Sequence, residues 1–140
     1  MANKKVEDHI EFAGDYDCKH IFLHDHHGDR TDIMQVVDEL NIYESIYKNA
    51  LTGSIVITDA QNLISKLEIQ GIERISFVIR TPGTSDDRDI INASAESGHP
   101  FHIYKITDRV QTAPGTLRYV LHFGSREFMR NIRTKVSQAY

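Results

Sequence analysis

Cysteine is almost missing from this sequence: Cys18 has no second cysteine to pair with, so no disulfide can form within the chain, as suits a reducing compartment. Long apolar runs are missing too. The longest, such as Ile55-Val56-Ile57 and Phe77-Val78-Ile79, fall far short of the roughly 20 apolar residues that a helix needs to cross a bilayer. The opening stretch MANKKVEDHIEF has two lysines but no apolar segment behind them, which predicts no secretory signal and a protein made and kept in a cytoplasm. There is no internal repeat and no low-complexity segment. The glycine patterns of the common nucleotide-binding loops are absent, and FGSRE around Ser125 lacks the second glycine of a nucleophile elbow.

What is present is a soluble-type chain of 140 residues, long enough for one domain that sustains its own core without staples. The net charge of −4 is unevenly spread: residues 1–50 hold 11 acids and 5 bases, while residues 118–140 hold 1 acid and 5 bases. An acidic front and a basic end suit head-to-tail contact between copies, although one folded subunit can balance them internally.

Alternation and turn residues predict a mainly β domain. A short strand runs from Lys19 to His24 and closes at the Gly28 turn; a longer one is expected from Ile33 to Tyr43, with helix as its competitor. In TGSIVITDA, Ile55 and Ile57 alternate with Ser54, Val56 and Thr58. Asp59 is placed to cap a short helix in AQNLISKL, because its carboxylate can accept from backbone N–H groups just ahead. IERISFVIRT follows as a strand built on Ile72, Ile75, Phe77 and Ile79, then a polar, acidic span at residues 84–99 that reads as a mobile loop. Two strands, FHIYKITDRVQ and TLRYVLHFG, form a hairpin at Ala113-Pro114-Gly115. Ser125 with Phe128, Met129, Ile132 and Val136 describes an amphipathic helix over residues 125–138. Residues 1–18 read as an arm. The expected architecture is an antiparallel β sandwich or barrel with one short and one C-terminal helix.

The densest chemistry is LHDHHGD, residues 23–29. His24 and His26 would share a face if the strand ran through them, and a cupin-like metal enzyme begins with such a pair. That pattern wants a glutamate where this chain has Arg30, and a cation opposes metal binding; His99, His102 and His122 are the downstream histidines left to complete a site. A polar turn beside Gly28 is the better reading. Cys18 with a distant histidine is a weak nucleophile pair, and the acid pairs Asp86-Asp87 and Asp38-Glu39 read as solvated. Arg126, Arg130, Arg133 and Lys135 could touch phosphates, but cations at a helix C-terminus are favourable without a partner and the chain is acidic overall.

Read as a unit, residues 32–137 carry Ile42-Tyr43-Glu44-Ser45-Ile46, Leu51-Thr52-Gly53, Asp59 with Asn62-Leu63, Ile69-Gln70-Gly71 with Glu73, the Tyr104 strand, and the Tyr119–Ser125 strand with its helix. This order and spacing resembles the first tail-tube-like domain of baseplate hub proteins from contractile-tailed bacteriophages. The resemblance implies a structural virion protein in the tail, assembled in the host cytoplasm, whose sheets line up around a central channel between the central spike and the tail tube. It implies no enzymatic activity, no cofactor, no metal and no membrane contact, with DNA met only in passage through the lumen. Hubs of this kind carry two similar domains per chain, so that three copies imitate six tube subunits. With room for one such domain, this chain is expected to be either part of a longer trimeric protein or a subunit of a true hexamer.

Overall fold

The structure is a computed structural model that describes residues 14–83 and 90–134. Its elements are β1 (Ile21–His24), β2 (Arg30–Asp32), β3 (Val37–Tyr43), β4 (Thr52–Asp59), α1 (Leu63–Lys66), β5 (Arg74–Arg80), β6 (Ile90–Asn92), β7 (Phe101–Ala113), β8 (Thr116–Gly124) and α2 (Arg126–Arg133). The fold is mainly β, and every pairing is antiparallel. Strands follow the order β2-β1-β5-β7-β8-β4-β3, with β6 attached to β5. Arg74 pairs with His24 on one side and His102 on the other, and Arg80 pairs with Asp17 and Ile90 likewise. Hence β7 and β6 share one edge of β5 in succession, while β1 and the end of the N-terminal arm hold the other.

The first and last strands of that order, β2 and β3, are joined by only the residues between Asp32 and Val37. Five Cα steps span at most roughly 18 Å, so the sheet must roll until its two ends come near each other. The inward faces then meet in one core. Ile21 and Leu23, Ile55 and Ile57, Ile75 and Phe77, Phe101 and Ile103, and Tyr119, Leu121 and Phe123 form it, with Leu63 and Ile64 of α1 packed on. Alternate residues on each strand supply this set, which is why the period-two pattern was informative.

Several expectations are corrected by this packing. The strand expected from Ile33 starts at Val37, because Met34–Val36 form a 3-10 turn. Its cause is local: the Asp32 carboxylate accepts from the Met34 N–H at 3.0 Å, and Ile33 donates to the Ile21 carbonyl while burying its side chain. The span 84–99 contains β6, whose Ile90–Asn92 pair with Val78–Arg80; residues 84–89 lie outside the described residues. Ile72 lies outside β5 and is 62% exposed. Thr134 is extended, ending α2 at Arg133, and residues 135–138 of the expected helix lie outside the described residues. The Ser125 hydroxyl accepts from the Leu51 N–H at 3.3 Å, binding the β3–β4 connection to the helix start.

The hairpin stands where it was expected, and each helix begins within its expected span. At the β7–β8 turn Gly115 has φ +76 after Pro114, the combination used by a type II turn. Asp59 does serve α1, though from further back than a cap residue: its carboxylate accepts from Gln61 N–H at 2.9 Å and Ile64 N–H at 3.2 Å, reaching past a left-handed Asn62. The Tyr119 phenol donates to the same carboxylate at 3.5 Å. Burial, the Asp59 charge and this hydrogen bond raise the phenol far above its ordinary range. The folded state therefore holds a proton that the unfolded chain releases near pH 10, and stability falls as pH rises beyond that value. In urea titrations between pH 8 and 11, Tyr119→Phe is expected to flatten this alkaline loss; an unchanged slope would assign the loss to other groups.

Candidate functional site

Because β1 turns Ile21 and Leu23 inward, His20, Phe22 and His24 line up on its outer face. The His20 ring stacks on Phe22 at 5.4 Å, and the Arg30 guanidinium lies 4.9 Å from the Phe22 ring centre, a cation against the ring's negative face. Across the ladder Ser76 pairs with Phe22, and its hydroxyl shares a 2.7 Å hydrogen bond with His24 Nε2. These groups floor a pocket of about 190 Å³ on the outer side of the sheet. Lys19, Arg30 and Arg80 stand around it, opposed by Asp17 and Glu96, and Ser94–Glu96 form a wall just past β6.

Position and charge act together on the titrating groups here. Burial first, then the Arg74 and Arg30 charges, hold the His24 imidazole below its ordinary value, against a smaller pull from Asp25 and Glu96. His20 instead binds Asp32, with Nδ1 and Oδ2 2.7 Å apart. Partial burial works to raise the Asp32 carboxyl, but the bond to His20 and that from the Met34 N–H outweigh it and hold it below the usual range.

The histidine-rich stretch folds as a polar turn. Asp25 Oδ1 accepts from the N–H groups of His27 and Asp29, both at 2.9 Å, and Gly28 takes φ +95 at the bend. His24 ends β1 and turns to Ser76, whereas His26 sits in the turn with its ring 3.9 Å from that of His27. Among the described residues, no three His, Cys, Asp or Glu side chains converge as a metal site would require. His102 joins His24 in another way: the two flank Arg74 in one row across β1, β5 and β7. Burial and the nearby Arg74, Arg126 and Arg133 charges keep His102 below its ordinary value. His122 shares a 2.8 Å bond with the Thr107 hydroxyl, and His99 is exposed ahead of β7.

Cys18 is half-buried, and burial followed by the Asp17 charge pushes its thiol up, the reverse of an activated nucleophile. Asp38 accepts from Thr58 at 2.6 Å and stands 3.8 Å from Arg118 on the surface. Asp86, Asp87 and Lys135 lie outside the described residues. The pocket escaped the sequence reading, although its floor was written there as His20, Phe22 and His24 at every second position. Its walls come from residues 76–80 and 94–96, which only the folded sheet brings alongside.

A second surface feature is apolar. On the β3–β4 connection Ile46 is 93% and Tyr47 90% exposed, next to Tyr43 at 58%. The same connection is tied to α2 by a 3.1 Å hydrogen bond from Asn131 to Asn49, beside the exposed Ile132 and between Arg130 and Arg133. No helix among the described residues is long and apolar enough to cross a membrane. No protein-family model matches the chain, and no curated protein sequence matches it.

Proposed function

We propose that this chain is a structural protein of a contractile phage tail, a hub or tube component that assembles with copies of itself into a ring linking the central spike to the tail tube. The observation that carries the reading is the pair Ile46 and Tyr47, two large apolar side chains left almost wholly in water at one loop. Exposure of this kind costs solubility unless a partner covers it, and loops held by a rigid sheet are where recognition residues gather. The outer edge of β3 adds to it: among the described residues β3 ends the strand order and no strand pairs with that edge, the kind of backbone row that another chain can pair with. Arg130 and Arg133 near the loop suit a partner surface as acidic as the first 50 residues of a second copy.

Native mass spectrometry of the chain, alone and with tail proteins, tests the reading. A ring of three or six copies is expected. Ile46→Asp combined with Tyr47→Asp should abolish it while leaving thermal stability nearly unchanged, since surface substitutions usually stay within about 0.5 kcal/mol. Assembly untouched by the pair, or a monomer under every condition, would overturn it.

A further inference from the structure

We propose that the pocket on the outer face of β1 and β5 binds a compact organic anion, an apolar body of about one ring carrying a carboxylate or phosphate. Size sets the first limit. An apolar cavity of about 150 Å³ takes benzene, and this pocket, at about 190 Å³, leaves room for one charged substituent beside such a ring. The floor is apolar where Phe22 and Val78 line it, which suits the body of the ligand.

Charge sets the second. Lys19, Arg30 and Arg80 approach from three separate segments of chain, and among the described residues none of them is tied into an ion pair, whereas His20 is held by Asp32 and Arg118 lies near Asp38. The Arg30 guanidinium lies over Phe22, 4.9 Å from the ring centre, and a guanidinium is a planar fork that can meet two oxygens of one anion at once. The Ser76 hydroxyl and the His24 ring add hydrogen-bonding groups at the base. Asp17 and Glu96 at the rim oppose a second negative charge, which favours a ligand with a single anionic group over a polyanion. This proposal is independent of ring assembly, because it concerns the face of β1 and β5 and not the β3–β4 connection.

The test is a titration of the full chain with benzoate, phenyl phosphate and inorganic phosphate, followed by two-dimensional NMR and calorimetry. Saturable shifts are expected at Phe22, His24, Ser76 and residues 94–96, with at least one aryl anion binding about tenfold more tightly than inorganic phosphate, through the apolar area that the ring buries. The tighter of the two aryl probes identifies the anionic group. Arg30→Gln and, separately, Lys19→Gln should each weaken that binding about fivefold or more by removing a charged contact. Both residues are exposed, so folding should survive, and unchanged amide spectra elsewhere will show it. Arg118→Gln, on β8 and outside the pocket lining, should have no effect. The proposal is overturned by absence of saturation with all three probes, by equal affinity for inorganic phosphate and the aryl anions, or by indifference to both substitutions.

Discussion

Gly53→Ala is expected to destabilise the fold by about 3 kcal/mol, at the upper end of what one added methyl group costs in a packed interior. A Cβ at this position would collide with the Asn41 carbonyl oxygen and with the Phe123 ring. Gly53 and Phe123 are direct partners on β4 and β8, so the ring lies over the place where a side chain would stand. Neither neighbour can retreat. Asn41 belongs to β3, whose ladder with β4 fixes its carbonyl, and Phe123 is fully buried with its ring 5.0 Å from Phe101 and 6.1 Å from Phe77. Interiors packed this closely pass strain on to their neighbours. In a Phe123→Leu background one of the two collisions is relieved, so the cost of Gly53→Ala should shrink by about 1 kcal/mol in a double-mutant cycle. Urea unfolding of the four proteins measures it. Identical costs in both backgrounds would locate the strain at Asn41 alone, and a harmless Gly53→Ala would contradict the packing described.

Glu73→Ala should cost about 3 kcal/mol, from loss of charge-assisted hydrogen bonds to backbone groups that then lack a partner. The Glu73 carboxylate is 1% exposed and accepts from three consecutive N–H groups, Gln70 at 2.6 Å, Gly71 at 2.7 Å and Ile72 at 3.0 Å. Successive amides aimed at one anion form a small anion-binding concavity, here filled by the protein's own side chain. The chain reverses through Gly71, at φ +91, and the Glu73 carbonyl accepts from Ile103 N–H at 2.9 Å, so the same residue holds both the turn and the junction of β5 with β7. Glu73→Gln keeps the shape but points an amide NH₂ at a backbone donor, and roughly 2 kcal/mol of loss is expected. Hydrogen exchange at Gln70, Gly71 and Ile72 should accelerate in both variants before global unfolding. Full protection of these amides in Glu73→Ala would show that another acceptor replaces the carboxylate.

The difference between these two residues illustrates how far the sequence could be read. Gly53 lies in a strand whose alternation was plain, and the mainly β class, the β7–β8 hairpin and both helices followed from such local signals. Glu73 was legible as a polar residue near the head of a strand, grouped with Ile69-Gln70-Gly71, but not as a buried carboxylate. Its burial depends on residues 70–72 folding back over it and on β7 pairing alongside. Ile72, by contrast, looked like part of the apolar face and was left in solvent by the same turn. β2 and β6, three residues each, carry too few positions for any period to register, and both exist because a longer strand offers them an edge.

By itself the sequence determined which residues alternate, where the chain turns, and that LHDHHGD is rich in groups able to close a polar turn. These are properties of neighbours along the chain, fixed by backbone geometry and side-chain polarity. Tertiary structure decided the strand order, the rolling of the sheet that brings β2 near β3, and the meeting of Lys19, Arg30, Arg80 and Glu96 around Phe22. It also decided that Ile46 and Tyr47 stay outside. Each of these outcomes depends on contacts between residues far apart in sequence, selected by how the apolar faces of all the strands can be buried at once, and no local pattern encodes that choice.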